Sequence, residues 1–196
     1  MMAKCLLKVA GPEAKAACGT TQLAGSMEAG IEGDIHAMRV LLDEHKKEED
    51  WGFLLIDARN SFNEENWAAM LSAFRHEWTS GTQFTFNCYQ HWATLVIRDT
   101  GDGSGHFLNI KEGVTKGDPL AMIEYGIGVL SLIRELRNAQ PRVTQPWYAD
   151  DAGGGGDVPA GTGALSVFAI AGTSLGLLLG SDQEHLGCGP GERRTC

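Results

Sequence analysis

Basic residues are scarce in this chain: 16 Lys and Arg stand against 25 Asp and Glu in 196 residues, a formal net charge of −9. Polymers of phosphate are held largely by Lys and Arg contacts, so this balance argues against a strong nucleic-acid grip by the chain alone. Much of the acidic excess is local, in residues 28–50, where the run from Glu44 to Asp50 reads as a solvated helix end. Cysteine is sparse and scattered, at positions 5, 18, 88, 188 and 196. An odd, dispersed set argues against a disulfide framework and for a reducing compartment. No basic stretch followed by an apolar core and a cleavage site opens the chain, so no secretory signal is expected. The expected location is intracellular, with nucleus and cytoplasm both open. None of the six His and five Cys forms a cluster with metal-ligand spacing; Cys88 and His91 have helical spacing but lack a second pair.

The chain does contain enough apolar residues, 43% of the total, for a globular fold. Residues 1–18 have no clear period. A helix is expected from Ser26 to about Lys47, with Ile31, Ile35, Met38, Leu41 and Leu42 recurring at helical spacing. Residues 52–57 read as a short apolar strand. Asn63 is expected to cap a helix through about His76, and a further helix is expected over 84–92. Residues 93–98 and 106–110 read as strands joined by the loop 99–105, whose oxygen-bearing residues lack the alternation and terminal Glu of a calcium loop. Pro119 suits a first helical turn. Leu120, Ile123, Ile127, Leu130, Ile133 and Leu136 then form a strong apolar stripe through about Arg137. A strand over 143–148, a turn over 149–151 and a flexible glycine run over 153–156 complete this part.

Three short segments carry chemistry. Phe53-Leu54-Leu55-Ile56-Asp57 ends an apolar strand on a carboxylate, Gly113 to Leu120 is a glycine-punctuated approach to a helix, and Tyr148-Ala149-Asp150-Asp151 sets two carboxylates at a tight turn. Each alone is weak, since Asp-Asp before glycines is a common turn composition. Together, in this order and spacing, they resemble the palm of reverse transcriptases over residues 18–157. Asp57-Ala58-Arg59-Asn60-Ser61-Phe62 is similar to the first palm motif, Lys116-Gly117-Asp118-Pro119-Leu120 to the second, with Lys in place of the usual Gln, and Tyr148 to Asp151 to the third. The residues flanking these motifs, 63–66 and 145–147, resemble the non-LTR retrotransposon type.

The resemblance implies an α+β fold: a right-hand polymerase palm with a βααβαβ-like antiparallel sheet, helices packed on one face, partial fingers and no thumb. Residues 1–50 would be the N-terminal segment with partial fingers, 51–157 the palm, and 158–196 an irregular tail. It also implies RNA-directed DNA polymerase activity with Mg²⁺ or Mn²⁺ held by Asp57, Asp150, Asp151 and the Ala58 carbonyl. Asp57 and Asp150 would bridge the ions and Asp151 assist. Phe62 has two open roles, screening the nucleotide sugar or filling the core. Lys116, Gly117, Asp118 and Pro119 would position template or nucleotide, although Lys116 also suits a solvated loop. The implied partners are an RNA or DNA template with primer and deoxynucleotide triphosphates. For a chain this acidic, weak or no nucleic-acid binding is expected, and no membrane association. The runner-up is an inactive retroelement relic with a palm-like fold.

Residues 158–181 carry no charge and are rich in Gly, Ala and Leu. Read one nucleotide forward, the codons for 182–192 are compatible with Thr-Lys-Ser-Ile-Leu-Val-Val-Ala-Pro-Glu, which is similar to the family's continuation after the paired Asp. A frameshift between Asp151 and Leu165 is therefore expected, with the tail translated out of frame. Sequencing the gene through codons 145–196 checks this: the neighbouring frame should continue the polymerase, and a neighbouring frame that does not do so rules the shift out.

Overall fold

A computed structural model of the chain describes residues 2–98, 101, 105–115, 117–179 and 185–188. The organising element is strand β1 (Trp51–Arg59), whose residues alternate between two faces. Leu54, Ile56 and Ala58 point into the core, while Leu55 and Asp57 stand on the other, open face. On one side β1 pairs antiparallel with β5 (Asp151–Asp157), in the register Leu54 to Gly154, Ile56 to Ala152 and Asp57 to Asp151. Strand β4 (Trp147–Tyr148) adds to the outer edge of β5, and the short strands β6 (Leu178–Leu179) and β7 (His185–Cys188) pair with the opposite edge of β1. A separate hairpin joins β2 (Ala93–Arg98) to β3 (Gly105–Ile110). The result is a mixed α/β fold with antiparallel sheets.

The glycine run expected to be flexible is in fact most of β5. Its lack of side chains is a packing requirement. A Cβ at Gly156 would sit 2.6 Å from the Arg142 carbonyl, and one at Gly155 would run into the Trp51 ring. The backbone of 142–144 can therefore lie directly on β5, where Thr144 and Gly155 exchange two hydrogen bonds at 2.9 and 3.0 Å. The expected strand over 143–148 shrinks to that bridge and β4. Between them stands Pro146, which has no N–H to donate, and the Gln145 carbonyl is taken by Arg137 at 2.9 Å.

Several helices also differ from the sequence expectation. Residues 2–18 form α1 (Met2–Cys18), whose buried face is Ala10, Ala14 and Cys18 at four-residue spacing. Small side chains give a weak hydrophobic signal even when their period is regular. The helix expected from Ser26 starts later, as α3 (Gly30–His45). The Ser26 hydroxyl is occupied in closing α2 (Leu23–Ser26), donating to the Gly19 and Gln22 carbonyls. Ile31, Ile35 and Leu42 of α3 are exposed; the sheet-facing positions include Met38, against Gly153, and His45, stacked on Trp51 at 5.0 Å. Asn63 caps nothing. After the single turn of α4 (Ser61–Glu64), the Asn66 side chain accepts from Ala69 N at 3.1 Å and starts α5 (Trp67–Glu77).

α6 (Thr79–Tyr89) begins and ends earlier than the expected 84–92. The long stripe is buried as its period requires, but it spans α7 (Ala121–Gly128) and α8 (Leu130–Ala139), broken at Val129. The break follows Gly128, where the Glu65 carboxylate fills the space a Cβ would take. Residues 158–171, expected to be irregular, form α9 (Val158–Ala171), with Pro159 in its first turn and Ala160, Ala164 and Phe168 buried. Ala and Leu are strong helix formers, and Phe168 stacks on Trp147 at 6.2 Å. No described helix is long and apolar enough to cross a membrane.

Because Phe168 is fully buried in the cluster that holds Leu54, Ile56 and Trp147, Phe168→Ala should lower unfolding stability by about 3–5 kcal/mol. Urea unfolding checks this, and unchanged stability would detach 158–171 from the folded unit.

Candidate functional site

The open face of β1 and β5 carries the carboxylates. Directly opposed residues of an antiparallel pair put their side chains on the same face, so the register that places Asp57 opposite Asp151 brings these two together. Asp150 lies in the turn between β4 and β5, and its side chain accepts a hydrogen bond from the Ser61 hydroxyl at 3.3 Å. Its carbonyl faces the Ala58 N–H at 3.5 Å. Asp57 and Asp150 were expected to bridge the ions with Asp151 assisting; the residue opposite Asp57 in register is Asp151, where β5 begins. Ala58 is buried and paired with Leu179 of β6.

The acids on this face act on one another. Burial raises the Asp151 carboxyl above its ordinary range, and Asp150, Asp57 and Asp34 raise it further. Asp34, on α3, was not singled out from the sequence. Its own pKa is raised by burial, and its Oδ1 is buried without a hydrogen-bond partner among the described residues. The donors are oxygen only, which in kind suits a hard divalent cation. As they stand, no three His, Cys, Asp or Glu side chains among the described residues are gathered tightly enough to hold one ion.

The turn itself is held by Gln22, a residue that gave no sequence signal. Ala149 adopts left-handed backbone geometry, φ +54°. Gln22 Nε2 donates to the Ala149 carbonyl at 2.9 Å, and the Ala149 N–H donates to Gln22 Oε1 at 2.8 Å. A buried glutamine reads in sequence like a surface one. Phe62 is half-buried and stacked on Tyr125 with ring centroids 4.5 Å apart, a packing role that leaves one side of the ring for any other.

Lys116 lies outside the described residues. Gly117 takes a positive φ of +91°. Asp118 Oδ1 accepts from the Leu120 N–H at 2.8 Å ahead of α7, with Pro119 between them. No hydrogen bond or ion pair among the described residues joins this loop to Asp57, Asp150 or Asp151. Asp118 instead lines a cavity of about 610 Å³ with Trp67, Tyr89, Val114 and Glu124. Glu124 accepts from the Tyr89 hydroxyl at 2.8 Å. Burial, with Asp118 adding to it, pushes its carboxyl up to about 7. Beside it, Glu65 is entirely buried and neither of its oxygens has a partner among the described residues. Its pKa is raised well above the carboxylate range by burial and by Glu124.

No protein-family model and no curated protein matches the chain. Solved structures do. Apo telomerase from Candida tropicalis superposes with a TM-score of 0.69 at 12% identity, over 96% of this chain and 37% of that one. The form of that enzyme truncated from its C-terminal domain gives 0.71 at 13% identity, over 97% and 41%. Telomerase from Candida albicans in complex with a TWJ fragment of telomeric RNA gives 0.66 at 11%, over 90% and 35%. The chain shares its fold with part of these telomerase chains. It spans about two fifths or less of these telomerase chains, and at such identities the likeness is one of fold.

The buried carboxyls make a pH dependence. Glu124 has a folded pKa of about 7 against an ordinary 4.5, so the folded state binds more protons than the unfolded one between these values. Stability should therefore be highest below about pH 4.5 on this account and fall as pH rises toward 7, by roughly 3 kcal/mol. Glu65 acts in the same direction. Glu124→Gln keeps an acceptor for Tyr89 and should flatten much of that slope, as read by urea unfolding at pH 5 and pH 8. An unchanged slope would show that Glu124 is solvated in solution.

Proposed function

We propose that the chain carries the catalytic palm of an RNA-directed DNA polymerase of the non-LTR retrotransposon type. The observation that supports this most is the opposition of Asp57 and Asp151 on the open sheet face, with Asp150 at the adjoining turn. The retrotransposon type rests on the residues flanking the motifs, and the fold is equally that of the telomerase chains.

In this reading Asp57, Asp150 and Asp151, with the Ala58 carbonyl, would hold Mg²⁺ or Mn²⁺. When bound, a cation pair supplies charge stabilisation for in-line attack of a primer 3′-hydroxyl on the α-phosphate of a nucleotide. The chain's own part is positional. The antiparallel ladder fixes Asp57 against Asp151, and Ser61 orients Asp150 through its hydroxyl. Phe62, braced on Tyr125, offers a rigid ring edge against which a sugar would be sized, and Lys116, Gly117, Asp118 and Pro119 would position template or nucleotide. Template, primer and deoxynucleotide triphosphates are the partners this chemistry requires.

A second reading, an inactive relic with the same fold, is favoured by two observations. The net charge is −9, and residues 158–196, where the resemblance to reverse transcriptases implies a fourth palm motif with a lysine general acid, contain no lysine. General acid catalysis contributes typically about 10²–10⁴-fold. Primer extension on a homopolymer template with Mg²⁺ or Mn²⁺ separates the two. On the relic reading no extension above an Asp150→Ala control is expected. Processive synthesis that Asp150→Ala abolishes would overturn the relic reading. Mn²⁺ binding followed by electron paramagnetic resonance tests the metal site itself: Asp57→Asn and Asp150→Asn should each weaken it at least tenfold, whereas Asp43→Asn on the exposed side of α3 should not. Equal binding by all four proteins would reject the carboxylate assignment.

A further inference from the structure

The carboxylate turn pivots on a residue with no conformational licence for it. Ala149 is not glycine, yet it sits at φ +54°, a region that costs L-residues energy unless surrounding groups hold them there. The group that holds it comes from 127 positions away. The Gln22 side chain is wholly buried, and its amide meets both the N–H and the carbonyl of Ala149, at 2.8 and 2.9 Å. Two parallel hydrogen bonds to one peptide residue fix its plane as well as its distance. Gln22 is itself anchored, since its Oε1 also accepts from Ala24 N at 3.3 Å at the start of α2.

A second brace runs alongside. Arg137 on α8 donates to the Thr21 hydroxyl at 3.1 Å, to the Thr20 carbonyl at 3.4 Å and to the Gln145 carbonyl at 2.9 Å. It thereby ties the segment that carries Gln22 to the segment that leads into the turn. Neither residue touches Asp57, Asp150 or Asp151 through any described hydrogen bond. Both act on the backbone that places those carboxylates.

We propose that Gln22 is a positioning residue for the metal-binding carboxylates, holding the turn so that Asp150 and Asp151 face Asp57, with Arg137 fastening the clamp to α8. This rests on the reading of the three carboxylates as a cation site. Outer groups that orient metal ligands typically change metal affinity by about 10–100-fold when removed. A purely structural role would lower stability and leave affinity alone.

Gln22→Met, which keeps the side-chain length and removes both hydrogen bonds, tests this on the full chain. Mn²⁺ affinity should fall about 10–100-fold, and amide hydrogen exchange at Ala149 should accelerate far more than at Leu54 or Ile56. Gln22→Glu keeps the acceptor for the Ala149 N–H and should fall between the two; it also decides the matter if Gln22→Met fails to fold. Met70→Ala, in the buried core of α5, is the stability control and should leave Mn²⁺ affinity as it is. If Gln22→Met and Gln22→Glu bind Mn²⁺ like the unaltered chain, the positioning role is overturned while the cation site stands. If the unaltered chain takes no Mn²⁺, the cation site falls and the positioning role with it.

Discussion

The register between β1 and β5 is the constraint on which the rest depends. Side chains along a strand alternate with a period of two, so a slip of one residue would exchange the faces. In the observed register Leu54, Ile56 and Ala152 face the core while Leu55, Asp57 and Asp151 face outward. A slip would bury the acids and expose the aliphatics. Close packing enforces the alignment: Gly155 and Gly156 admit the Trp51 ring and the 142–144 backbone only because they carry no Cβ. The placement of the acids is thus set by close packing farther along the same two strands.

Reading the sequence found the features whose signal is chemical and local. Asp57 at the end of an apolar run, the paired acids at a turn, and the stripe from Leu120 to Leu136 all stand out because large apolar or acidic side chains recur at a regular spacing. What escaped was long-range or carried by small residues. The face of α1 is alanine, whose burial leaves little trace in hydropathy. The glycines of β5 read as loop, because sequence cannot tell a glycine that flexes from one pressed against another backbone. The stripe on α3 was visible, yet Ile31, Ile35 and Leu42 face solvent, and of its members Met38 turns to the sheet, joined there by His45, which lies outside the stripe.

The candidate site was legible to the same degree. Its carboxylates could be named, but not the residue opposite Asp57 in register, since that depends on where β5 starts. Asp34 and Gln22 could not be named at all. One is a helix acid among many in residues 28–50, and the other is a polar residue whose two backbone partners lie 127 positions on. Glu65 and Glu124 were likewise invisible as a pair, because Glu65 enters the core only through the gap left at Gly128.

The β2–β3 hairpin has every residue of both strands exposed, and the Lys111 ammonium over the Trp92 ring, 4.0 Å from its centroid, closes its base. A two-stranded ribbon with so little cover is only marginally stable and opens long before the rest of a domain. Ala93 and Ile110, its first and last residues, are also walls of the cavity that holds Glu124. Opening of the ribbon would let water reach a carboxyl whose raised pKa comes mainly from burial, and would so tie the seating of the ribbon to the proton on Glu124.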